Sequence, residues 1–466
     1  MILEMATSAG DRAVVTAGDR SLTAAELLDL ARRAAGRFQR CPAVLYLGAN
    51  HLAYPVALFG AALAGVPLVP VNYRLGERQL AGILARHPGA LVLRPDDLDA
   101  LLDPAPGDEE PTPAAAQDQD AVAALIYTSG TTAEPKAAVL RHRHLLAYVW
   151  NTLEFASADE GDAALVAAPP YHIAGLTNLL SNLYTGRRVV YLPTFEAAAW
   201  LDVVRRERIT HAMVVPTMLA RIVAEVAGDD AGTPTLRSLS YGGARMPRPV
   251  LERALRVFAT VDFVNAYGLT ETASSVAVLG PEDHRAATED RLGSVGRALP
   301  GIEIQIRGDD GTPARAGETG LVFVRGEQIS GEYGGRSVLD ADGWFGTRDL
   351  GRLDAGGYLF IEGRADDTII RGGENIAPAE IEDVLLAYPG IIEAAVVGVS
   401  DPEWGQRLVA VLVGEGDPAE IQRWVRDRLR SSKTPDTIMF RAELPKTETG
   451  KLLRRAILAE LETTHA

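Results

Sequence analysis

Short apolar runs recur through the first 275 residues, at 44–47, 90–93, 123–127, 164–167, 189–192, 213–215, 238–241 and 261–264. Helix-length segments such as 23–38 and 198–207 separate several of them. A run that is apolar throughout reads as a strand buried on both faces, and helices laid against either side of a sheet are what bury it. The alternation therefore predicts an α/β protein whose large N-terminal domain is built of doubly wound sheets. Ligands in such sheets bind beyond the carboxyl ends of the strands. Several runs end there in small or polar residues: Tyr127-Thr128-Ser129-Gly130, Tyr241-Gly242-Gly243 and Asn265-Ala266-Tyr267-Gly268. A set of loops at one sheet edge is the expected site.

The texture changes twice further on. Between about 293 and 363 the segments 303–307 and 321–325 alternate like strands, and Ala355-Gly356-Gly357 precedes a strand at 358–362. This predicts a small β subdomain. After Arg364 the pattern is β/α again but shorter, with strands at 391–399 and 408–413 and helical spacing of Ile421, Trp424, Val425 and Leu429. The expected division is a large domain over 1–365 and a small α+β domain over 366–466. Residues 104–120 read as an exposed linker loop. The stretch 54–71 carries no charge and is long enough to span a bilayer. Gly65, Pro67 and Pro70 break it, so it reads as a buried helix over 51–64, a turn and a buried strand over 67–71. No membrane span is expected.

Composition narrows the class. Lys and Arg number 46 against 62 Asp and Glu, a formal charge of −16 that disfavours nucleic acid as a partner. Cys41 stands alone, which excludes a disulfide framework, a zinc finger or an iron–sulfur site within one chain. The N-terminus lacks a basic segment followed by an apolar run, so no signal peptide is read and a cytoplasmic location is the expectation. Only four basic residues are lysines: Lys136, Lys433, Lys446 and Lys451. In so arginine-rich a chain, a retained ammonium marks a place where a compact point charge is wanted. Lys136 and Lys451 attract that reading, and Lys446 is taken as a surface residue.

The run 123–127 leads directly into Thr128-Ser129-Gly130-Thr131-Thr132-Ala133-Glu134-Pro135-Lys136. Hydroxyls, a glycine and a lysine together offer donors and positive charge to a polyphosphate. No Walker A sequence is present. On its own the segment fits a phosphate loop and an ordinary hydrophilic turn equally well.

Tyr127 to Lys136 resembles the signature loop of the adenylate-forming (AMP-binding) superfamily, which includes acyl-CoA synthetases, adenylation domains and luciferases. Asn265-Ala266-Tyr267-Gly268-Leu269-Thr270-Glu271-Thr272 resembles its second motif, and Gly343-Trp344-Phe345-x-Thr347-Arg348-Asp349-Leu350-Gly351 its third. Gly363-Arg364-x-Asp366-Asp367 resembles the family's hinge, and Arg371-Gly372-Gly373-Glu374-Asn375-Ile376 the motif next along the chain. Leu444-Pro445-Lys446-Thr447-x-Thr449-Gly450-Lys451 resembles the terminal lysine motif, and the whole set stands in family order. Ala133-Glu134 departs from the family's usual glycine.

The resemblance implies a two-step reaction: a carboxylate and ATP give acyl-AMP, and a thiol, usually of coenzyme A, then displaces AMP. It implies Lys451, Thr270, Glu271 and His172 as catalytic residues, with Glu271 also the Mg²⁺ ligand. Thr128, Ser129, Gly130, Thr131, Thr132 and Lys136 would hold the β- and γ-phosphates. Tyr267 would stack on adenine, with Gly242, Gly243 and Ala244 opposite and Asn265, Ala266 and Gly268 beside it. Asp349 would accept from the ribose hydroxyls and Arg364 would donate nearby. Asp366 would be the hinge about which the small domain rotates, exchanging Lys451 for a coenzyme A face made by Gly372, Gly373 and Trp404. Relatives that activate amino acids place an aspartate before the acyl pocket, whereas 168–176 carries no acid. An unpaired buried ammonium is costly, so the expected substrate is a hydrophobic carboxylic acid (aryl, medium-chain or bulky alicyclic) lined by His172, Leu176, Pro216, Thr217 and Tyr241. The alternatives to a CoA ligase are an acyl-AMP ligase serving an acyl carrier protein or partner enzyme, and a non-catalytic binder, against which Glu271, Asp349 and Lys451 argue.

Overall fold

The apolar runs are strands, and they assemble into two sheets. The computed structural model describes residues 2–6, 10–103, 118–128, 136–286, 289–447 and 452–465. In the nine-stranded sheet, Asp262–Leu269, Ser238–Gly242, His211–Val214, Ala163–Val166, Arg188–Tyr191 and Ala13–Ala17 run parallel. Antiparallel strands close its two edges. In the seven-stranded sheet, Leu91–Leu93, Val44–Tyr46, Leu68–Pro70 and Val122–Thr128 are parallel, and Lys136–Arg141 then pairs antiparallel with Val122–Thr128.

Local chemistry fixes the helices that cover these sheets. Ala24–Phe38 starts at a reciprocal cap: Thr23 Oγ1 accepts from Glu26 N, and Glu26 Oε2 accepts from Thr23 N at 2.8 Å. Ala53–Ala64 lies buried against it. Gly65, left-handed at φ 71°, ends that helix and turns the chain into the buried strand Leu68–Pro70. At 12 residues the helix is too short to cross a bilayer. Among the described residues no helix is long and apolar enough to do so.

A four-stranded antiparallel sheet comes next, made of Glu303–Arg307, Gly320–Arg325, Phe345–Leu353 and Leu359–Arg364. The last region packs Pro378–Leu386, Pro418–Arg426 and Arg454–His465 around Ile391–Asp401, Gly405–Gly414 and Thr437–Phe440. Between the two lies a single turn, Ala365–Asp367.

Two differences from the sequence reading bear on the site. The run ending at 264 continues as strand to Leu269, because Ser274–Leu279 folds back and pairs with it. Residues 265–269 are therefore strand, not loop. The amphipathic helix stops at Arg426, short of Leu429.

Candidate active site

Residues of the second, third and hinge motifs singled out in the sequence meet in one place. Asp262–Leu269 is flanked by Ser238–Gly242 and Ser274–Leu279, yet residues 264–269 all stay half-buried. An interior strand left half-buried lines a cleft. Two glycines make the approach possible. A Cβ on Gly242 would lie 2.3 Å from the Ala266 carbonyl oxygen, and one on Gly268 would lie 2.0 Å from that of Ser274. Only a residue without a side chain fits either place.

Tyr267, Asp349 and Arg364 form one hydrogen-bonded unit. Tyr267 Oη donates to Asp349 Oδ2 at 2.5 Å, and Arg364 Nη1 donates to Asp349 Oδ1 at 2.7 Å. Asp349 and Arg364 are direct partners across neighbouring strands. Asp349 N donates to Thr347 Oγ1 at 3.1 Å, which fixes the carboxylate's base. Burial, and then the Asp349 charge, push the Tyr267 phenol well above its usual range. Each carboxylate oxygen still has a lone pair for a further donor. The sequence placed Tyr267 for its ring face; its hydroxyl anchor was missed.

Glu271 lies in the short turn Thr270–Thr272 and is buried. The Tyr333 hydroxyl donates to its Oε1. Its backbone oxygen accepts from Ser330 N at 2.8 Å. Tyr333 pairs in turn with Ala138 on Lys136–Arg141, so the turn is brought beside the paired strands Val122–Thr128 and Lys136–Arg141. Burial, and then the Glu271 charge, raise the Tyr333 phenol. Nothing in the sequence singled out Tyr333; a tyrosine 62 residues from its carboxylate leaves no local signal. Thr128 and Lys136 face each other at the ends of paired strands, with Thr128 Oγ1 donating to the Lys136 carbonyl at 3.3 Å. Ser129, Gly130, Thr131, Thr132 and Lys451 lie outside the described residues.

Among the described residues no group of three or more His, Cys, Asp or Glu side chains could hold a metal ion. A lone buried carboxylate, Glu271, is nonetheless compatible with Mg²⁺, which takes one or two carboxylates together with phosphate oxygens and water.

His172 precedes the helix Ile173–Thr185, its ring 4.7 Å from that of Tyr171. Burial draws its imidazole down to about 4, so it is neutral near pH 7. A Cβ on Gly175 would lie 2.5 Å from the Pro169 carbonyl oxygen, which seats this turn of helix on the Pro169-Pro170 backbone. Leu176 and Pro216 are buried and Thr217 is half-buried. Tyr241 packs into the core beneath Ser238–Gly242, its hydroxyl 2.9 Å from His284 Nε2. Asn265 Nδ2 reaches the Ser294 carbonyl at 3.4 Å, while Ala244, Ala266 and Thr270 are half-buried and Gly243 is exposed.

In the last region, Gly372, Gly373 and Trp404 share one surface. Gly372 N donates to the Trp404 carbonyl at 2.8 Å, and a Cβ on Gly372 would lie 3.1 Å from the indole. Trp404 is 48% exposed, large for a tryptophan that fills no core. Asp366 is exposed in the turn between the two regions.

Comparison with known proteins gives the family and the fold. The family model for AMP-binding enzymes matches residues 3–333, and that for the AMP-binding enzyme C-terminal domain matches 380–451. Feruloyl-CoA synthase of an Amycolatopsis species is 37% identical over 88% of this chain and 87% of its own length. Indoleacetate–CoA ligase of Aromatoleum aromaticum is 33% identical over 93% and 92%. The structure of o-succinylbenzoate CoA synthetase from Bacillus subtilis, in complex with its acyl-adenylate intermediate, superposes with a TM-score of 0.85 at 29% identity, covering 98% of this chain and 97% of that one.

Proposed function

The chain belongs to the AMP-binding enzyme family, and from that premise we propose that it is an AMP-forming acid–thiol ligase that activates a hydrophobic, aryl-type carboxylic acid with ATP and passes it to coenzyme A. The observation that carries this reading is a pair of hydrogen-bonded units, Tyr267–Asp349–Arg364 and Glu271–Tyr333, set four residues apart at Tyr267 and Glu271.

The first step brings a carboxylate to the α-phosphate of ATP, forms the mixed anhydride and releases pyrophosphate. Two anions meet, so fixed positive charge and donors dominate catalysis. Asp349 accepts from the ribose hydroxyls through its spare lone pairs, while Arg364 and Tyr267 hold the carboxylate in place. The Tyr267 ring presents a face to the adenine, and Gly242 leaves the base room. Thr128 to Thr132 and Lys136 hold the outer phosphates, and Thr270 donates to the α-phosphate. Glu271, oriented by Tyr333, would hold Mg²⁺; the ion neutralises phosphate charge when bound. Lys451 bridges the attacking carboxylate and the α-phosphate. In the second step the thiol of coenzyme A attacks the acyl carbon and AMP leaves. Residues 366–466 rotate about Asp366 to bring in the face of Gly372, Gly373 and Trp404. The lone Cys41 suits a reducing cytoplasm.

Two features support an aryl acid. The pocket side carries a neutral imidazole, Leu176 and Pro216 with no acidic residue over 168–176, and the related ligases named above act on aryl or indole acids. Pyrophosphate exchange across a panel of cinnamic, benzoic, indole and medium-chain acids tests this, followed by product analysis with and without coenzyme A. Exchange with aryl acids and a CoA thioester product are expected. Exchange with no acid would overturn the reading, and exchange without thioester would redirect it to a different acceptor.

A further inference from the structure

Arg348 stands in the left-handed region, at φ 64°, one residue before Asp349. A residue with a side chain resists that conformation, and such outliers persist where the surroundings over-determine them. Its guanidinium reaches the carboxylate of Asp366, with Nη1 and Oδ2 3.4 Å apart. Its charge also acts on Tyr333, opposing the rise that burial and Glu271 produce there. Arg348 thus stands between the Glu271 corner and the turn that joins the two regions.

The residues on either side of Asp366 are tied down, each to a different body. Arg364 is held by Asp349 on the large side. Asp367 is held by Arg454 Nε at 3.4 Å on the small side. Arg454 is itself fixed, with Nη2 on Glu382 Oε2 at 2.8 Å and Nη1 on the Val396 carbonyl at 3.1 Å. Its side chain is 17% exposed and that of Glu382 13%, so this clamp is largely buried. Rotation between the bodies is therefore confined to Ala365 and Asp366.

We propose that Arg348 is a positioning residue for the two-step reaction, acting through Asp366: the ion pair latches the pivot in the rotational state seen here, and the pivot must leave Arg348 to reach the other state. The proposal rests on the ligase reading above. A latch differs from a structural brace in what its loss does. Weakening a brace slows both half-reactions; releasing a latch favours one at the expense of the other.

The test uses full-length R348G and R348Q. Glycine adopts φ 64° without steric cost and lacks the charge, and glutamine keeps bulk without charge. Pyrophosphate exchange and thioester formation from preformed acyl-AMP are measured separately at saturating substrates. Because the pair is exposed, the expected change in the ratio of the two rates is about 3-fold, with one rate up and the other down and the same sense in both variants. Raising the ionic strength should move the wild-type ratio the same way and leave the variants flat. Endoproteinase Asp-N, which cuts before Asp366 and Asp367, gives a readout independent of activity: its cleavage there should quicken about 3-fold in both variants. Both half-reactions falling together, or an unchanged ratio with unchanged cleavage, would overturn the latch. Wild type that exchanges pyrophosphate with no acid would sink the ligase reading instead, and the cleavage rates would then decide Arg348 alone.

Discussion

Asp349 carries two bonds that its motif does not spell out. The sequence named it as an acceptor for ribose, and the structure has it already gripped by Tyr267 and Arg364 at 2.5 and 2.7 Å. The grip has a use: a carboxylate held from behind keeps its free lone pairs aimed into the cleft, at little entropic cost on binding. Tyr267→Phe keeps the ring and removes the hold. We expect kcat/KM for ATP to fall about 10- to 150-fold, the size of one hydrogen bond to a charged group. Steady-state kinetics at saturating acid decide it, and an unchanged value would mean that the hydroxyl serves only the fold. The residue types of this unit were legible because the motifs name them one by one. Their coupling was not, since Tyr267 and Asp349 lie 82 residues apart, on strands of two different sheets, and only the packing of those sheets brings them together. Tyr333 was illegible for the same reason.

At the scale of elements, the local pattern found the strands but not their lengths. Apolar alternation ends at 264, where burial on both faces ends, yet the backbone stays extended to Leu269 because an antiparallel partner supplies its hydrogen bonds. A strand that outruns its own apolar signal is half-open by construction, and here that open half carries the Tyr267 motif. Gly268 shows how little slack this leaves. Gly268→Ala puts a methyl carbon 2.0 Å from the Ser274 carbonyl oxygen. Backbone must move on one side or the other, so we expect a loss of roughly 2–4 kcal/mol. Thermal or urea unfolding gives the number, and a loss below about 1 kcal/mol would mean that the two strands separate freely here. The helices were more legible, since Thr23 with Glu26 and the turn at Gly65 are local signals that a sequence displays directly.

The whole molecule responds to pH through its buried imidazoles. His144, His172 and His211 are each drawn down to about 4, by burial before any other cause. Unfolded, each would bind a proton near pH 6.5 that the folded chain refuses. Between about 6.5 and 4 the unfolded state therefore holds more protons, and stability falls as pH falls. Melting temperatures should drop steadily below pH 6.5, and His211→Asn should flatten that slope; an equal slope in the variant would remove His211 from the account. The same large-scale view bears on the terminal lysine. Lys446 and Leu452 pair across the segment that carries Lys451, and Leu453 N donates to the Pro445 carbonyl at 2.9 Å. Lys446 Nζ lies 2.5 Å from Glu393, and Arg454 is fixed to Glu382. Both ends of the segment thus belong to the small body, as do Gly372, Gly373 and Trp404. On the proposed two-step reaction these are two tools on one body, which cannot serve one cleft at once, so the proposal requires the body to turn between steps. Lys451→Ala then removes the tool of the first step alone. Pyrophosphate exchange should fall on the order of 10²–10³-fold, as for loss of one charge-stabilising contact, while thioester formation from preformed acyl-AMP keeps its rate. Equal loss of both would mean that one arrangement of the two bodies serves both steps, and that the pivot at Asp366 does not govern the cycle.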